Sequence, residues 1–113
     1  MLIVRDALKR DDLKRMAAET FGNMVKAVVD TERELLAVDA ELHSDLEALL
    51  LQDGSQQKHI WGINLYPEAQ GSEAIEFDSM INLRPSLGNR SRGVDDEAIR
   101  RNIIAVVNKR LAG

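Results

Sequence analysis

The chain has 113 residues, 44% of them hydrophobic, with 15 Lys and Arg against 19 Asp and Glu and a net charge of -4 at pH 7. This length suits one domain, 1–113, and the acidic balance excludes an evenly basic nucleic-acid surface. With no cysteine, disulfides, thiolate nucleophiles and zinc–thiolate centres are excluded as well.

Leu2 to Val4 suits a short strand. The apolar opening is too brief for a secretory signal, and charges follow it at once. No stretch approaches the roughly 20 apolar residues that cross a bilayer. A cytoplasmic protein with no membrane contact is the expectation. Asp11 or Asp12 suits a helix cap, Leu13, Met16, Ala17 and Phe21 recur at helical spacing, and Gly22 gives a stop.

The β-branched run Met24–Asp30, a charged turn at Thr31-Glu32-Arg33, and the string ELLAV predict a hairpin with strands near 24–30 and 34–38. This hairpin is expected to supply an edge strand, and with it a homodimer contact, unless Lys26, Glu32, Arg33 and Glu34 protect it. Asp39 suits the cap of a second helix with Leu42, Leu46, Leu49 and Leu50 as its stripe, and Asp53-Gly54-Ser55 ends it.

Residues 59–85 alternate in a two-residue period and predict a second hairpin. Trp61, Ile63, Leu65, Ile75, Phe77, Ser79, Ile81 and Leu83 fall on one face. Asn64, Tyr66, Glu76, Asp78, Asn82 and Arg84 fall on the other. Residues 85–94 read as a loop, Asp95 as the cap of a last helix, and Val94 as a staple on Ile99. Arg100 lies inside that helix's apolar stripe and needs a partner. The order helix, hairpin, helix, hairpin, helix predicts an α+β domain: a mainly antiparallel four-stranded sheet with helices packed on one face.

The polar face of the second hairpin is the strongest candidate site. Opposed strands bring side chains within about 5 Å on one face, so Asn64 and Tyr66 are expected near Glu76, Asp78 or Asn82. The Arg84 fork suits a carboxylate or phosphate. The plainer account is that these groups satisfy one another. Arg84, Arg90 and Arg92 run toward a helix N-terminus, which favours anions. Asp95, Asp96 and Glu97 already supply negative charge there, so a loop pinned by internal bonds is the simpler reading. No aromatic residue interleaves with these arginines, which argues against nucleic acid.

His43 and Glu47 are one helical turn apart. A mononuclear metal site needs about three protein ligands, and His59 is the sole other histidine, so no metal is expected and a bonded helix-boundary histidine is the simpler account. The glycines match no dinucleotide or P-loop fingerprint, and no cofactor is expected. Together the strings MVKAVVD, ELHSDLEALLL, WGINLYPE, EFDSMINLRP and GNRSR resemble a family of small bacterial and archaeal proteins that carry only a domain-of-unknown-function label. The resemblance covers roughly residues 20–110 and implies no activity, substrate or cofactor.

Two functional readings follow. In the first, the protein binds a partner or a small anionic ligand on the polar face. In the second, it is an enzyme acting on a phosphorylated or carboxylated small molecule. That enzyme would use Asp78 or Glu76 as base, Arg84 and Arg90 as clamps and His43 as acid, which requires His43, Asp78 and Arg84 to converge. The first asks for fewer coincidences and is preferred.

Overall fold

The computed structural model describes residues 1–112. The chain opens with two short strands, β1 (Leu2–Val4) and β2 (Leu8–Lys9), followed by α1 (Arg10–Glu19). The first hairpin is β3 (Val25–Asp30) and β4 (Leu35–Val38). Helix α2 (His43–Gln52) leads to β5 (Ile60–Leu65) and the two-residue β6 (Ile75–Glu76). Single 3-10 turns at Met80–Asn82 and Pro85–Leu87 precede α3 (Glu97–Arg110) and β7 (Leu111–Ala112).

The main sheet is antiparallel and five-stranded, in the order β1-β4-β3-β5-β6. This order corrects two expectations. The sheet gains β1, which pairs Leu2–Val4 with Val38–Leu36. The first hairpin is central, not an edge, because β1 covers β4 and β5 covers β3. A second, parallel pair of β2 and β7 ties the start of α1 to the end of α3.

Helices cover both faces of the sheet, not one. The reason is legible in the middle of β3 and in β4, where consecutive residues are apolar. Ala27, Val29, Leu36 and Val38 face α1 and α3, where Leu13, Ala17, Ile103 and Val107 complete the larger core. Val28 and Ala37 point the other way and need their own cover, which Leu46 and Leu50 of α2 provide. A strand buried on both faces reads as a continuous apolar run and not as an alternation. Truncating Leu46 or Leu50 to Ala costs about 2–5 kcal/mol.

Helix ends depart from expectation by a few residues. Lys9 precedes α1 and Leu42 precedes α2, neither with a side-chain cap. Asp96, not Asp95, caps α3, accepting from the amides of Ala98 and Ile99. Asp95 turns back into the loop, accepting from the Arg90 amide and the Ser91 hydroxyl. Those bonds, Ser91's foremost, hold its carboxyl below the usual range. Arg100 finds its partner in the Val94 carbonyl, at 2.7 Å.

The largest departure lies in residues 59–85. The first half is the strand expected, with Trp61, Ile63 and Leu65 in the core. The second half pairs with it only at Asn64↔Glu76 and Leu65↔Ile75. Beyond Glu76 the chain leaves the sheet. Ile81, expected beside Phe77, packs instead against the α2 core, and Leu83 is exposed. Pro85 opens the last 3-10 turn, where its missing N–H is harmless.

Candidate functional site

In β5, Ile60, Gly62 and Asn64 face the α2 side of the sheet. Gly62 has room for nothing larger: a Cβ there would sit 2.6 Å from Ser79 Cβ. This close approach lets Asn82 reach β5. Its Oδ1 accepts from the Gly62 amide at 2.8 Å, and its Nδ2 donates to the Gly62 carbonyl at 2.9 Å. One amide side chain thus makes the pair of bonds a neighbouring strand would make. The same Nδ2 donates to the Arg92 carbonyl, which also accepts from the Ser79 amide. Asn82 is fully buried.

Arg84 continues the substitution. Its guanidinium donates to the carbonyls of Gln57, Ile60 and Ile81, and its carbon lies 4.7 Å from the centre of the Trp61 ring. Burial lowers its pKa, and the charge of Glu47 opposes this. Asn89 does the same for the following loop, donating to the carbonyls of Asn82, Ser91 and Gly93 and accepting from the Asp95 amide. Asn82 and Arg84, expected on the displayed polar face, are therefore buried fasteners of the β5 edge.

The other face residues do gather. Asn64, 6% exposed, donates from Nδ2 to Glu76 Oε1 at 2.8 Å, and Tyr66 donates its hydroxyl to the same oxygen at 3.0 Å. That bond raises the Tyr66 pKa. Asp78 pairs with Arg92 at 2.8 Å, both about half exposed. Arg90 is exposed and contributes its backbone amide to Asp95.

His43 joins this group. It stands at the start of α2, 8% exposed, with Nε2 2.7 Å from the Ile63 carbonyl. A carbonyl only accepts, so the proton sits on Nε2 and a neutral ring keeps Nδ1 as an acceptor. Burial lowers the His43 pKa; the Ile63 bond opposes this, Lys26 adds to it, and Asn64 and Asp78 oppose it. The ring is thus mostly neutral near pH 7. Glu47, its expected partner one turn on, acts on Arg84 instead. Among the described residues no three His, Asp or Glu side chains are placed to share a metal ion.

Beside this ring lies Asn64 Oδ1, buried and without a partner of hydrogen-bond geometry among the described residues. The patch therefore holds one buried acceptor in want of a donor, Asn64 Oδ1, close to the His43 ring and to the carboxylates of Glu76 and Asp78. Lys26 belongs to it too, and the sequence reading missed that role. It pairs with Asn64 across the sheet, and its ammonium lies 5.2 Å from the centre of the Phe21 ring. The signal was the polar side chain in the centre of MVKAVVD, on the same face as Val28.

No helix among the described residues is long and apolar enough to cross a membrane. Neither the curated proteins nor the solved structures contain a match to this chain. A family model matches residues 2–110, nearly the whole sequence, and the chain belongs to that family, described as a protein of unknown function (DUF5674).

Proposed function

We propose that this protein is a binding domain for a small polar ligand, held at the patch of His43, Asn64, Tyr66, Glu76 and Asp78. The observation that carries the reading is the buried Asn64 Oδ1, which no donor among the described residues meets in good hydrogen-bond geometry and which has only the His43 ring close by. A buried acceptor left unmade costs about 1–3 kcal/mol, so a ligand that supplies the missing donor recovers that energy on binding.

The patch also selects among ligands. Its free groups are acceptors, and two of the arginines expected to clamp an anion are engaged: Arg84 by three carbonyls and Arg92 by Asp78. Lys26 is the cation that remains beside Asn64. This favours a ligand rich in N–H or O–H groups, an amine, amidine or polyol, over an anion. An enzyme built on His43, Asp78 and Arg84 fits less well, because the Arg84 donors are taken up by the carbonyls of Gln57, Ile60 and Ile81.

A thermal-shift screen of amines, amidines and polyols beside carboxylates and phosphates tests this. A ligand at a hundredfold excess over its Kd stabilises the native state by about 2.7 kcal/mol. Donor-rich compounds should raise the Tm, and Asn64→Leu should remove the shift. Asp78→Ala should weaken binding while changing stability by less than about 1 kcal/mol, since its ion pair is exposed. Stabilisation by anions alone, or a shift indifferent to Asn64, would refute the proposal.

A further inference from the structure

The main sheet has two edges, and they are finished differently. On one side β5 is followed by the two-residue β6 and by the bonds of Asn82 and Arg84. On the other side β1 is the last strand, and no described strand lies beyond it. A strand edge left open is a template for pairing with another chain.

The ladder shows which groups of β1 are open. In an antiparallel sheet the N–H and C=O of one residue point to the same neighbouring strand, and those of the next residue point the other way. The Tyr66 amide donates to the Ala74 carbonyl, and Gly62 is held by Asn82, so the even residues of β5 turn away from β3. The odd ones turn toward it, and the Thr31 amide on the His59 carbonyl continues that row. Carried through the registers Ala27↔Ile63, Val28↔Ala37 and Val4↔Leu36, the alternation directs Leu2 and Val4 at β4. The amide and carbonyl of Ile3 therefore point outward.

The side chains suit the same edge. Leu2, Ile3 and Val4 carry no charge, so two copies, each of net charge -4, meet there without opposed carboxylates. Leu2 is 41% exposed, an aliphatic side chain left uncovered beside the edge. Arg5, the next residue, is held by Asp53. A two-fold axis at Ile3 makes the edge complementary to itself. Ile3 then exchanges both main-chain bonds with the partner's Ile3, and Leu2 lies opposite the partner's Val4.

We infer that β1 is a self-association edge, which pairs antiparallel with β1 of a second copy and joins two five-stranded sheets into one. The surface is independent of the His43–Asn64 patch. Three residues a side make a small contact, so the dimer is weak and depends on concentration. Assembly stops at two, because each copy spends its open edge in the pairing.

The test is sedimentation of the full chain from micromolar to millimolar concentration, with amide hydrogen exchange over the same range. Dimer should accumulate, and the Ile3 amide should gain protection with it while the Val4 amide stays protected throughout. Ile3→Pro removes the outward amide and no bond to β4, a substitution that an edge position tolerates. It should weaken dimerisation about tenfold, through the two bonds lost across the axis. Leu2→Glu, at an exposed side chain, should weaken it as well by bringing two carboxylates to the junction, with circular dichroism unchanged. A monomer at millimolar concentration, a dimer indifferent to both substitutions, or a dimer whose Ile3 amide still exchanges freely would overturn the proposal.

Discussion

The sequence suggests two hairpins in this chain, and the fold builds them in different ways. In the first, β3 and β4 pair residue for residue from Ala27↔Val38 to Asp30↔Leu35, and main-chain bonds make the ladder. In the second, β5 meets a partner strand at two positions only. Along the rest of its outer edge, Asn82 serves Gly62 and Arg84 serves Ile60. An ordinary ladder tolerates many sequences because the backbone supplies it. A ladder made by side chains depends on a few residues.

That difference sets where the protein breaks. Asn82→Leu should be the most damaging single substitution along the β5 edge. It leaves the buried amide and carbonyl of Gly62 without partners, at about 1–3 kcal/mol each. A loss of about 3 kcal/mol or more in urea unfolding is expected from that pair of groups, with faster hydrogen exchange at the Gly62 amide. Amides of Val28 and Val29 in the first hairpin should stay protected until global unfolding.

Gly62→Ala comes next. The new methyl meets Ser79 Cβ at 2.6 Å, and overpacking of this kind costs about 1–3 kcal/mol. Adding Ser79→Gly should recover part of the loss, since the clash is with that side chain; a strictly additive double mutant would show the contact to be unimportant. Recovery should be incomplete, because Ser79 Oγ also accepts from the Ile81 amide.

The smallest effect concerns pH. His43, bonded to the Ile63 carbonyl, has its pKa lowered in the folded state, chiefly by burial. The unfolded chain therefore takes up this proton more readily, at a pKa of about 6.5. The associated stability is present above that value and declines as the pH falls through the lowered folded pKa. Lys26, Asp78 and Asn64 face the ring and tune the midpoint. His43→Gln should flatten the stability profile below about pH 6.5, measured by urea midpoints at several pH values. An unchanged slope would mean that the ring is hydrated.

Much of the framework was legible from residue pattern. The first hairpin, the three helices and the inward side of Trp61, Ile63 and Leu65 follow from periodicity and apolar runs, which report burial directly. The second strand was misread because alternation from Ile75 to Leu83 is compatible with extension but does not enforce it. What decided the matter was Gly62, whose bare Cα admits Ser79 and thereby Asn82. Such an approach depends on contacts between residues far apart in the chain, which no local pattern carries. The same limit explains the site. Asn64, Tyr66, Glu76 and Asp78 share a face as their spacing implied, while Asn82 and Arg84 shared their polarity and went to the interior. Polarity identifies a hydrogen-bonding need, not who meets it.

The use of Asn82 and Arg84 in place of a strand also affects what the molecule does in a crowded solution. Exposed main-chain donors and acceptors along a long apolar strand invite another chain to add itself, the first step toward fibrils. In this protein the vulnerable edge of β5 ends in an amide and a guanidinium, neither of which can propagate a sheet. Loss of either fastener should therefore expose a template for aggregation as well as lower stability, and thioflavin-positive assembly should follow Asn82→Leu more readily than equally destabilising changes in α2.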